Sequence, residues 1–112
     1  MTALSSQQCQ ICNKDTMPIA HSLIAQYLLD IPQWQLNQTD GSQCLQRIYP
    51  LKNFAAAISL TNKIAEIAEQ QGHHPAILTE WGKVTVRWWT HSIAGLHIND
   101  FIMAAKTDQL SP

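Results

Sequence analysis

The sequence has 112 residues, 46% of them hydrophobic and 13% charged, with seven basic and eight acidic side chains and a formal charge of -1. That length supports one hydrophobic core and excludes two, so residues 1–112 read as a single domain. No Lys/Arg cluster is dense enough to neutralise several phosphates and no apolar run approaches the roughly 18 residues of a membrane span, so neither nucleic acid nor membrane is an expected partner.

Residues 1–16 are polar and aperiodic and carry a Cys9-x2-Cys12 pair. They read as an arm whose order depends on what it packs against. The arm lacks the basic and apolar regions of an export signal, and Cys9, Cys12 and Cys44 make an odd count, so the expectation is cytoplasmic residence with free thiols. The pair is half of a zinc-ribbon pattern and with Cys44 or His21 would make a structural zinc site, but no second pair follows.

Pro18 suits the first turn of a helix, and Ile19, Leu23, Ile24, Tyr27 and Leu28 continue it at helical spacing to Leu29, before Asp30 and Pro32 end it. Residues 34–36 and 44–49 are strand candidates, closed into a hairpin by the Asp40-Gly41 turn between them. From Asn53, a suitable N-cap, residues 54–70 run without Gly or Pro, with Ala57, Leu60, Ile64, Ile67 and Ala68 on one stripe; Gly72 is the stop. Residues 75–81 and 84–90 form a second hairpin.

With Gly82-Lys83 as a type II′ loop, Ile77 would face Trp88, Thr79 would face Val86, and His74 would face His91 on the opposite side of the sheet. Residues 98–108 read as a closing helix. The predicted fold is α+β, in the order α-β-β-α-β-β-α, a four-stranded antiparallel sheet with three helices packed on one face. The other face keeps Leu78 and Trp89, which suggests contact with a further subunit. Trp88 is expected beneath the helices, and His97 near the start of the last helix as an exposed or capping residue.

Histidines exchange protons near neutral pH, so His73, His74 and His91 suit general acid/base work; they are also conceivable metal ligands, although adjacent residues of an extended chain point to opposite faces. Glu69, His73, His74, Pro75, Trp81, His91 and Asp100 stand at the spacing E-x3-H-H-P-x5-W-x9-H-x8-D. This pattern, with GHHPA, VTVRWWTH and AGLHINDF around it, resembles the pterin-4a-carbinolamine dehydratases, bacterial members in particular.

The resemblance implies loss of water from 4a-hydroxytetrahydrobiopterin to give quinonoid dihydropterin, in recycling for an aromatic amino-acid hydroxylase such as phenylalanine hydroxylase. It implies pterin as substrate, no cofactor or metal, and a homodimer or homotetramer. By carry-over His73, His74 and His91 surround the pterin, with His74 or His91 protonating the leaving hydroxyl. Glu69 is then suited to orient His73, and Asp100 to orient an imidazole or cap the last helix. Pro75 would turn helix into strand, and Trp89 would stack on the pterin or be buried at a subunit contact. The rival reading is a protein-interaction module, because animal relatives of the family stabilise the dimer of a transcription factor.

Overall fold

The computed structural model describes residues 3–13, 15–39 and 41–110. Asn53 initiates the longest element as its chemistry dictates: its side chain accepts a hydrogen bond from the Ala56 amide at 2.8 Å, worth about 1 kcal/mol. Helix α2 (Phe54–Gln71) then runs until Gly72, whose φ of 64° is open to glycine and strained for other residues. Ala57, Leu60, Ile64 and Ala68 are its buried stripe.

Helix α1 (His21–Leu28) starts later than its sequence periodicity suggests. Pro18 and Ile19 precede it in non-helical backbone, and the Ile19 amide bonds the Leu96 carbonyl at 2.9 Å instead of entering the helix. Helix α3 (Ile98–Asp108) has the bounds expected. Tyr27 of α1 packs on Phe101 of α3 with ring centroids 5.3 Å apart.

Strands β1 (Gln35–Thr39), β2 (Ser42–Pro50), β3 (Ala76–Glu80) and β4 (Lys83–Trp88) form one antiparallel sheet in the order β1-β2-β4-β3. The first hairpin closes with Thr39 opposite Ser42 and Gly41 at φ 81°; Asp40, the other expected turn residue, lies outside the described residues. Leu45, Tyr49, Val84, Val86 and Trp88 alternate onto the helix-covered face and are buried.

The second hairpin differs from its predicted register. Its loop residues are Trp81 and Gly82, and the last rung pairs Glu80 with Lys83, whose charged groups approach to 3.7 Å. The positive φ of 81° falls on Gly82 as the second loop residue, whereas a type II′ turn needs it on the first. Ile77 therefore faces Val86, Thr79 faces Val84, and His74 does not pair with His91. Because the slip is by two residues, every side chain that stays within β3 and β4 keeps its face.

No helix among the described residues is long and apolar enough to cross a membrane.

Candidate functional site

Where α2 ends, the left-handed Gly72 swings the chain away from the helix axis and delivers His73 and His74 before Pro75 biases the backbone toward β3. Where β4 ends, Thr90 bridges back to Gly95, and the enclosed 3-10 turn (His91–Ile93) lifts His91 off the ladder. His91 thus meets His74 by a route other than cross-strand pairing: its Nε2 lies 3.3 Å from the His74 carbonyl. The two elements close a cleft of about 550 Å³ lined by His73, His74 and His91, with Gln71, Thr90 and Ser92 among its other walls.

The three imidazoles are held differently. His73 is 8% exposed, stacked on Trp88 at 5.8 Å and 8°, with Nε2 2.6 Å from Asp100 Oδ1. Asp100 is fully buried, and its Oδ2 accepts from Thr90 Oγ1 at 2.8 Å and from the His97 amide at 2.9 Å. This one carboxylate contacts an imidazole and also closes the capping box of α3, where the sequence suggested one role or the other. His74 is exposed, and its Nε2 bonds Glu69 Oε2. His91 is exposed and lies against Trp89, with ring centroids 4.3 Å apart.

Glu69 therefore serves His74, not His73 as its spacing suggests. A residue four positions ahead meets its partner on a continuous helix, but α2 stops at Gln71 and the turn at Gly72 redirects both histidines. Trp81 sits at the hairpin tip, 73% exposed and away from the cleft. Trp88 is fully buried and donates from Nε1 to Thr107 Oγ1 at 3.1 Å, so it is a floor beneath His73. His97 is the N-cap of α3, its Nδ1 accepting from the Asn99 amide at 3.2 Å; burial first holds its pKa below the ordinary 6.5.

A carboxylate or carbonyl oxygen only accepts, so the bonds from His73, His74 and His91 all place hydrogen on Nε2. Nδ1 is then the nitrogen left for proton traffic on each ring. Such a set can both give and take protons at one small molecule held in the cleft.

Sequence reasoning missed the arm. Cys9, Gln10, Ile11 and Cys12 line the same cleft, as does Asn99. The Cys9 amide donates to Gln71 Oε1 at 2.9 Å, and Cys12 Sγ accepts from Asn99 Nδ2 at 3.2 Å. Burial, then the Asp100 charge, pushes the Cys9 thiol up to about 11, and the same causes raise Cys12. Cys44 is buried on β2 and does not join them. Among the described residues no group of three or more His, Cys, Asp or Glu side chains is placed to hold a metal ion. The signal for Asn99 was its place beside Asp100 at the start of the last helix; the arm offered no comparable one.

A family model described as Pterin 4 alpha carbinolamine dehydratase matches residues 17–110. A protein of Marinobacter nauticus (strain ATCC 700491 / DSM 11845 / VT8), named as a candidate pterin-4-alpha-carbinolamine dehydratase, is 54% identical over 110 residues, covering 98% of this chain and 99% of the relative. Among solved structures, a transcriptional coactivator/pterin dehydratase from Brucella melitensis superposes with a TM-score of 0.76 at 27% identity, over 86% of this chain and 100% of that one.

Proposed function

The chain belongs to the pterin-4-alpha-carbinolamine dehydratase family and is a hydro-lyase, and from that premise we propose that His73, His74 and His91 carry out the dehydration by general acid/base catalysis. The observation that supports this most is the meeting of the three imidazoles, each tied through Nε2, around one cleft.

The substrate carries a hydroxyl on C4a next to N5–H. His74 or His91, on the exposed rim, gives a proton to the hydroxyl; the C4a–O bond breaks and its electron pair leaves with water. His73 takes the proton from N5, and the freed pair forms the C4a=N5 bond. Asp100 neutralises the charge that His73 acquires, without moving, because Thr90 and the His97 amide hold its other oxygen. The acid has then lost one proton and the base gained one, and exchange with water restores both. Nothing is oxidised or reduced, so the step balances without a redox partner. We place the reaction in recycling: an aromatic amino-acid hydroxylase supplies the carbinolamine and a reductase consumes the quinonoid product.

The test is the dehydration rate of freshly generated 4a-hydroxytetrahydropterin, with chelator present throughout. Wild type is expected to accelerate it, and His73→Ala, His74→Ala and His91→Ala to be slower by about 10² or more where the imidazole moves a proton. A folded wild type with no acceleration would sink this reading, and three variants with unchanged rates would remove the histidines from it.

A further inference from the structure

We propose that residues 9–12, outside the family-matched segment, form the cleft wall that selects the substituent at C6 of the pterin, with Ile11 as the specificity-determining residue and Asn99 as the residue that positions it. The inference rests on the pterin reading above.

The arm is held on the cleft by hydrogen bonds to its backbone. The Gln10 amide donates to Asn99 Oδ1 at 2.8 Å, and Asn99 Nδ2 donates back to the Gln10 carbonyl at 2.8 Å. Asn99 is 1% exposed, so the reciprocal pair is anchored on a buried side chain although Gln10 itself lies at the surface. With Cys9 also bonded to Gln71, the backbone on one side of Ile11 is fixed, while the Ile11 side chain is 96% exposed at the cleft. A lone exposed isoleucine is ordinary. This one is held beside His73, His74 and His91, where a bound molecule would cover it.

The chemistry sets which part of the molecule that is. Dehydration requires C4a and N5 beside the imidazoles, and C6 is bonded to N5. Its substituent is therefore carried one bond from the reacting pair and runs along a wall that is not histidine, of which the arm is the one bearing an exposed apolar side chain. The arm supplies an apolar side chain there and two thiols, neutral at pH 7 as ordinary thiols are and held more firmly so by burial, giving an uncharged surface for an uncharged substituent. Asn99 is also the neighbour of Asp100, so one short stretch at the start of α3 sets both the wall and the carboxylate of His73.

The experiment compares two freshly generated carbinolamines, one with a methyl and one with a 1,2-dihydroxypropyl group at C6, on wild type and Ile11→Ala. Ile11→Ala is expected to lower the preference for the longer substituent, read as the ratio of the two kcat/KM values, about fivefold, with the change carried by KM. Asn99→Ala is expected to give the same split together with faster hydrogen exchange at the Gln10 amide, which Ile11→Ala leaves protected. Equal effects on both substrates, or none, in Ile11→Ala with an active wild type would overturn the wall. Because its side chain is exposed, that variant decides the matter even if Asn99→Ala does not fold. A wild type that dehydrates neither substrate would overturn the pterin reading itself and the inference with it.

Discussion

Asp100 and Asp108 stand at opposite ends of α3 and each gathers three partners, yet they make different things. Asp108 Oδ1 accepts from Trp34 Nε1 at 2.9 Å, Arg47 Nη1 at 2.7 Å and Tyr49 Oη at 2.5 Å. An indole, a guanidinium and a phenol all keep their protons at neutral pH, so this end of the helix is a fixed clasp between α3, β2 and the segment before β1. Asp100 holds a backbone amide, a hydroxyl and the His73 imidazole, the side-chain type that most often gives and takes protons in catalysis. The partners a carboxylate gathers set what it can do: those of Asp108 fix a frame, and those of Asp100 fit the proposed chemistry.

The contrast breaks most sharply under Asp100→Asn. An amide in that place can donate to His73 Nε2, which moves the ring hydrogen to Nδ1 and removes the acceptor. Turnover is expected to fall by about 10² or more, toward the roughly 10⁴ seen when a catalytic histidine is held in the wrong tautomer, while the melting transition stays cooperative. An unchanged rate would detach Asp100 from the chemistry. Asp108→Ala should do the reverse. Three donors lose their acceptor, costing about 2–4 kcal/mol in a denaturant titration, with turnover per folded molecule unchanged.

Both aspartates lie in a helix legible in the sequence, and only one of their roles was. The bounds of α3, the Asn53 cap and the Gly72 stop followed from local chemistry, which acts within a few residues and is written in order along the chain. The faces of β3 and β4 were legible from alternation. Their register was not, because both Trp81-Gly82 and Gly82-Lys83 offer a glycine to a two-residue loop. His73, His74 and His91 line one cleft, but not through the cross-strand pairing expected of His74 and His91, and Glu69 meets a different ring from the expected one because spacing rules stop where the helix does. The Asp108 clasp and the arm were invisible for a common cause. Their bonds join residues far apart in sequence through side chains, and no periodicity records such bonds.

The clasp should also answer to alkali. Burial first, then the hydrogen bond to Asp108, raises the Tyr49 pKa above its ordinary 10.0. A raised folded pKa means stability that is fully present below pH 10 and lost as pH climbs toward the folded value, at up to about 1.4 kcal/mol per pH unit for one proton. The denaturation midpoint of wild type is expected to fall between pH 10 and 11 more steeply than that of Tyr49→Phe. Parallel slopes would show that the phenol is not what the clasp protects.

At the Asp100 end the response should come from acid and be smaller. His97 caps α3 through Nδ1, which accepts from the Asn99 amide only while it carries no proton, and burial lowers the pKa of this ring below 6.5. A lowered folded pKa gives stability that is present above pH 6.5 and lost as pH falls through the folded value. Protonation turns the acceptor into a donor facing another donor, so the first turn of α3 should loosen by about 1 kcal/mol, the worth of an N-cap. Hydrogen exchange at the Asn99 amide, corrected for its intrinsic pH dependence, is expected to accelerate between pH 6.5 and 5 in wild type. In His97→Asn it should not, because an amide oxygen caps without titrating. Equal acceleration in both proteins would move the acid sensitivity off His97 and onto the Asp100 cluster, and with it the boundary between frame and machinery.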